Sequence, residues 1–231
     1  MANRRILQYP NPRLRRVSTD IDFDSEDPTQ IVQDLLDTLD VSSGVGLAAP
    51  QIGYEKNIVI LQPKAFGVDN PDPFPQREQF MVFINPEMVL SENKVSWPEA
   101  CLSVPLGQGN VSRSETCEVK YRDISGGEKL LSLKWPLSAA LQHECDHLEG
   151  KLFIDRVSRF VRESITKKIT KLNKKKAREA EQKKEEEIFD LYGEAGLRDY
   201  RKRKLASKGN AKKKIPRKKK PKTFGRKKKK K

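Results

Sequence analysis

Apolar positions along the first 155 residues follow two periods, and the changes between them mark out the elements. Ile31, Val32, Leu35, Leu36 and Leu39 recur at three- and four-residue spacing, which predicts a helix over Pro28–Asp40 closed by the Ser42–Gly44 turn. Short apolar runs at Ile58–Leu61, Phe80–Ile84, Cys117–Tyr121 and Leu130–Leu133, separated by polar or Gly/Pro punctuation, predict strands. Ile6–Arg16, interrupted by Pro10 and Pro12, reads as extended or turning chain, and the proline-rich Lys64–Gln79 as a surface excursion between strands. A second helix is predicted from Pro136 to about Glu149, because proline suits a first helical turn and Gly150 falls where a C′ glycine belongs. From Ser158 the helical spacing resumes at Val161, Ile165, Ile169 and Leu172, then fades into Lys, Glu and Ala. The first half of this helix is expected to dock on the body and the second to project into solvent. The order of elements gives an α+β class: antiparallel or mixed sheets around a central helix, a long C-terminal helix, and a basic tail disordered from residue 196.

Charge divides the chain at nearly the same place. Residues 1–155 carry 15 Lys and Arg against 23 Asp and Glu, whereas residues 156–231 carry 32 against 9. Both Trp and all but two of the 14 Pro lie in the acidic part, which holds apolar material for one core. The expected organisation is a catalytic domain over 1–172, a charged helical extension over 173–195 and a disordered Lys/Arg-rich tail over 196–231. No apolar run approaches the roughly 20 residues of a membrane span, and the N-terminus has no signal or transit pattern. Three cysteines without framework spacing suit a reducing compartment. A cytoplasmic, monomeric protein is expected.

The only two histidines, His143 and His147, both fall within Gln142-His143-Glu144-Cys145-Asp146-His147. At i and i+4 on a predicted helix, both imidazoles can reach one metal ion, and Glu144 then acts on water rather than on metal. A catalytic divalent metal takes three protein ligands and keeps an open position. No His lies downstream of His147, and Glu149 sits on the wrong face, so the third ligand is sought upstream among Cys101, Cys117 and several carboxylates. Cys117, in a strand-like run, reads as packing, and Cys145 points away from the histidine face. Cys101 lies in a loop-like Pro-Glu-Ala-Cys-Leu-Ser-Val-Pro between strands. Spacing alone does not choose it.

Three segments in order resemble the signature motifs of peptide deformylases: Gly44-Val45-Gly46-Leu47-Ala48-Ala49-Pro50-Gln51-Ile52-Gly53, Glu99-Ala100-Cys101-Leu102-Ser103 and Gln142-His143-Glu144-Cys145-Asp146-His147-Leu148. Ile6–Arg16 is similar to the family's N-terminal segment, and the likeness covers about residues 4–172. Ala100 departs from the pattern, standing where the family usually has glycine. Its methyl could narrow the cleft, or shift the backbone if the position needs positive φ, so altered kinetics or specificity is expected rather than lost activity.

The resemblance implies a metallohydrolase acting on linear amides, with formylated nascent chains as substrate and formate as product. It implies that Cys101, His143 and His147 hold one divalent ion, iron(II) foremost with zinc, nickel or cobalt as substitutes. Glu144 would move the proton, while Gln51 and the Leu102 N–H would stabilise the oxyanion. Val45 and Gly46 would hydrogen-bond the substrate as an added strand, with Glu99, Ala100 and Arg113 near it or stabilising the region. The family's C-terminal helix is similar in being basic and contacting the ribosome, so the tail is expected to tether the protein to ribosomal RNA. Two rivals are a zinc endopeptidase sharing the helix and an inactive RNA-binding protein on the same scaffold.

Overall fold

The computed structural model describes residues 3–71 and 80–213, with side chains to residue 206. Among the described residues, seven strands form two antiparallel sheets. The larger has the order β1 (Gly46–Ala48), β2 (Ile58–Leu61), β3 (Met81–Leu90), β6 (Thr116–Arg122), β7 (Glu128–Lys134), and the smaller pairs β4 (Lys94–Cys101) with β5 (Val104–Ser114). The α-helices among the described residues are α1 (Thr29–Asp40), α2 (Leu137–Leu148) and α3 (Arg159–Lys213), and short 3₁₀ turns lie between elements, giving the α+β class.

The unbroken apolar run Ile58–Leu61 has a direct reason. Successive side chains of a strand face opposite ways. Val59 and Leu61 pack with Met81, Phe83, Leu141, Cys145 and Leu148 on the α2 side. Ile58 and Ile60 pack with Val82, Ile84, Leu35, Leu36 and Leu39 on the α1 side. Both faces of the central strands are therefore buried, and an alternating pattern would fail there. A third cluster joins Val104 and Val111 of β5 to Leu152, Phe153 and Ile154 and to Ile165 and Ile169 of α3.

The chain divides into two compact units, Met1–Leu172 and Asn173–Lys231. The second folds back on itself. Gly193 (φ 62°, ψ −163°) breaks α3, and Tyr200 and Arg201 reach back to Glu181 (3.0 Å) and Glu185 (2.5 Å), so the two arms run antiparallel. Lys204 also pairs with Glu181. Disorder from residue 196 is thus corrected for residues 196–213, which are helical; residues 214–231, and 72–79 of the proline-rich excursion, lie outside the described residues. Cross-arm ion pairs hold a segment whose low apolar content reads as unstructured.

Several expected elements stand within a residue or two of their predicted limits: α1, α2, β2, β6 and β7. Gly150 adopts φ +68° one residue beyond the Glu149 cap of α2, as a C′ glycine should. The hairpin β4–β5 was not anticipated, and it moves Cys101 from a loop to the end of a strand.

Candidate metal centre

Every residue of α2 is buried although half of them are polar. Each polar side chain therefore needs a partner. Ser138 donates to the carbonyls of Ser114 (3.1 Å) and Glu115 (2.7 Å). Gln142 accepts from the Ser114 N–H (3.0 Å) and donates to the Ser114 carbonyl (2.9 Å), bonding the end of β5 much as a neighbouring strand would. His143 and His147, one turn apart, project toward Cys101 at the end of β4, just before the tight turn into β5. The ligand atoms of these three residues lie within 4.8 Å of one another, the one such group among the described residues. Cys101 Sγ is 3.3 Å from His147 Nε2.

Behind the trio runs a buried chain of charge. His143 Nδ1 is 2.8 Å from Glu99 Oε2, which turns its Nε2 to the trio. Arg113 donates to both Glu99 oxygens (2.6 and 2.9 Å) and to Asp146 (2.7 Å), and Arg156 grips Asp146 from the other side (2.5 Å). Burial works to raise the Glu99 and Asp146 carboxyls, but these hydrogen bonds and cations outweigh it and hold both below their ordinary values. Burial and the adjacent His143 charge push His147 well down, favouring its neutral, metal-ready form. Burial opposes the His143 cation too, yet Cys101 and Glu99 raise it well above the usual value.

Glu144 lines the cleft, and burial pushes its carboxyl up to about 7. Its Oε2 is one of three buried side-chain polar atoms without a partner among the described residues, and His147 Nδ1 is another. Gln51 sits in a 3₁₀ turn (Ala49–Ile52), its Oε1 accepting from the Ala48 N–H (2.7 Å). That bond fixes the amide so that Nε2 faces Ser103 Oγ (3.2 Å) and Cys101 Sγ (3.5 Å). The N-terminal segment braces both residues from behind, Leu7 N–H donating to the Gln51 carbonyl and Tyr9 N–H to that of Ser103, each at 2.7 Å. One thiolate, two imidazoles and an unpartnered carboxylate oxygen suit a catalytic divalent metal.

The cleft in front has a volume of about 530 Å³ and is lined by Gly46, Gln51, Glu99, Ala100, Cys101, Leu102, His143 and Glu144 among others. That is the size of a small-ligand or peptide site. Strand β1 forms one edge. The Val45 carbonyl accepts from the Gln62 N–H (2.8 Å), so by antiparallel alternation the Gly46 N–H and carbonyl face the open side. Ala100 is exposed on β4 and is not among the non-glycine residues at positive φ, which are Asn85 and Leu106. Its methyl therefore costs no backbone strain. Arg113, expected near the substrate, is 2% exposed and lies off the cleft wall with its guanidinium committed to Glu99 and Asp146. Glu99 does reach the cleft wall, with its carboxylate committed to His143 and Arg113. Cys145 packs in the core beside Leu141, and Cys117 is buried with its thiol pushed up to about 11. Ser103, Gln142 and Asp146 escaped sequence reasoning as site residues, although each lies inside a quoted motif; only tertiary contacts give them a role.

The family model for polypeptide deformylase matches residues 3–163. A peptide deformylase of Endomicrobium trichonymphae is 40% identical over 177 residues, covering 77% of this chain and 98% of that protein. One from Erythrobacter litoralis is 37% identical, covering 74% and 98%. Among solved structures, the peptide deformylase of Legionella pneumophila aligns with a TM-score of 0.67 at 33% identity, covering 77% of this chain and 99% of that one. A Plasmodium falciparum peptide deformylase gives 0.65 at 32%, covering 76% and 98%.

Proposed function

The chain belongs to the polypeptide deformylase family, a metal-dependent hydrolase of N-formyl peptides, and from that premise we propose how its own residues carry the reaction. The observation that carries the reading is the convergence of Cys101, His143 and His147 beside the unpartnered Glu144 Oε2. A divalent cation held by that trio, iron(II) on our reading with zinc, nickel or cobalt as substitutes, supplies Lewis-acid polarisation of water and of the formyl carbonyl. Glu144, held near neutral titration by burial, takes the proton of the attacking water and returns it to the departing amine. Charge builds on the formyl oxygen, where Gln51 Nε2 and the Leu102 N–H donate to it. The tetrahedral species collapses to formate and a free α-amine on the initiator methionine. The nascent chain adds as a strand along Gly46, with the Val45 side chain at the rim and Ala100 on the facing wall. Glu99 and Arg113 orient His143 rather than touch substrate.

The assay is formate release from formyl-Met-Ala-Ser, with iron(II) kept anaerobic or with nickel. The wild type releases formate, and Glu144→Ala lowers kcat by about 10²- to 10⁴-fold. No release by the wild type with either metal, or equal rates for the two proteins, overturns the reading.

The basic arm and tail give the second part of the proposal. Residues 156–231 carry far more cation than formyl hydrolysis needs, and Lys/Arg runs bind phosphate backbones by releasing counterions. We assign them to ribosomal RNA, which places the enzyme where formylated chains emerge. Co-sedimentation with ribosomes across a salt series, with and without residues 196–231, tests it; equal binding by both proteins removes the tether.

A further inference from the structure

Leu106 is placed at double cost. Its φ of +63° lies in the left-handed region, where a branched side chain is strained and glycine is not. Its apolar side chain is also 66% exposed. The other non-glycine residue at positive φ, Asn85, is compensated: its amide accepts from the Ile21 N–H (2.8 Å) and donates to the Ile21 carbonyl (2.9 Å). The leucine side chain has no polar group with which to do the same. Its position is imposed from both sides. Cys101 pairs with Val104 and Ala100 with Gln108, so Pro105, Leu106 and Gly107 bulge from β5 with nothing opposite them. Val104 is buried, and Gly107 is pressed so closely on Phe153 and Ile165 that a Cβ there would come within 3.2 and 3.0 Å of them. The bulge is thus clamped to the core behind, and Leu106 faces the same cleft as Cys101, His143 and Glu144.

Strain and exposure concentrated on one residue at a ligand cleft point to a ligand that compensates both. We propose that Leu106 is a specificity-determining residue that reads the nascent chain beyond its formylmethionine, favouring an apolar side chain at position two or three. The chemistry suits that role. An apolar side chain laid on Leu106 removes both surfaces from water, whereas a small or charged one gains nothing. Leu106 is not one of the three ligand residues and carries no polar group, so its contribution falls on binding of the downstream residues and not on the bond broken. The inference rests on the deformylase reading above.

The test compares kcat and KM for formyl-Met-Ala-Ser, formyl-Met-Leu-Ser and formyl-Met-Ala-Leu in the full-length, metal-loaded wild type, Leu106→Gly and Leu106→Ala. The wild type is expected to prefer one leucine-bearing peptide by about tenfold in kcat/KM, chiefly through KM. In both variants that ratio falls to within about twofold. Glycine relieves the backbone and alanine does not, so Leu106→Gly alone raises the urea midpoint of the Trp fluorescence transition. A wild-type preference that survives in Leu106→Gly, or no preference in an active wild type, overturns the specificity role. A Leu106→Gly protein less stable than wild type also overturns it, since the leucine would then be a packing residue. A wild type inactive on all three peptides instead sinks the deformylase reading, and this inference with it.

Discussion

A methyl group on residue 46 would sit 2.7 Å from Glu144 Oε1 and 2.8 Å from Leu61 Cδ2. A side chain at that position would therefore force the buried Glu144 carboxylate to shift, so glycine suits it apart from any strand the substrate adds there. Gly46→Ala is expected to displace Glu144 and lower kcat/KM by about a hundredfold, because sub-ångström placement governs proton transfer. Metal content should hold, since the nearest atoms such a methyl would crowd belong to Glu144 and Leu61 and not to a ligand. Formate kinetics beside elemental analysis of the purified protein checks both; normal turnover would show that Glu144 tolerates the shift. At this scale the sequence was legible where spacing carries chemistry. His143, Glu144 and His147 follow from one helical turn. Cys101 needed the family resemblance, because nothing local distinguishes a thiol at a strand end from one in a core. Gln51 and Ser103 become partners only when the turn at Ala49–Ile52 meets the β4–β5 turn.

The β4–β5 hairpin is the element that sequence patterning could not reveal, and the reason lies in what its inner face carries. Period-two reading looks for apolar residues pointing inward. Here the buried positions include Glu99, Arg113 and Ser114, and the exposed ones include Lys94 and Ser96, while Pro98, Gly107 and Gly109 interrupt the run. The hairpin is joined to α2 by charge: Glu99 from β4, Arg113 from β5 and Asp146 from α2 meet in one buried cluster. Removing one member of such a cluster leaves the others uncompensated. Arg113→Met should destabilise the first unit by about 3–5 kcal/mol. It should also weaken metal binding by about 10- to 100-fold, because Glu99 no longer holds the His143 ring. Arg113→Lys should recover little, since an ammonium cannot span both carboxylates as the fork does. Urea unfolding and competition with a chelator measure the two effects; an Arg113→Met protein of wild-type stability and metal affinity would reduce the cluster to decoration.

For the whole molecule, the two units answer to different forces, and this explains which of them was legible. The first is built on buried apolar surface, whose periodicity can be read along the chain. The second is held by pairs such as Arg201 with Glu185, residues far apart in sequence whose complementarity shows only once Gly193 has turned the arm back. Both Trp, Trp97 and Trp135, lie in the first unit, so their fluorescence follows its unfolding alone. One charge there ties the N-terminal segment to α1 and to the loop before β2. Asp34, fully buried, accepts from Arg4 (2.8 Å), Tyr54 (2.8 Å) and Gln30 (2.9 Å). Burial alone would raise its carboxyl, and the three donors outweigh that and hold it below the ordinary value. A depressed carboxyl stabilises the fold above the unfolded value of about 3.9, and that contribution is lost as pH falls through the folded value. Asp34→Asn, which cannot ionise, should cost about 2 kcal/mol at pH 7. The gap between the two proteins should stay constant down to about pH 5 and narrow steadily below it. Urea titrations of the full-length protein between pH 7 and pH 2, followed by Trp fluorescence, give both curves. A gap that does not change with pH would mean that Asp34 acts as a neutral hydrogen-bond acceptor, and the electrostatic tie of the N-terminal segment would have to be abandoned.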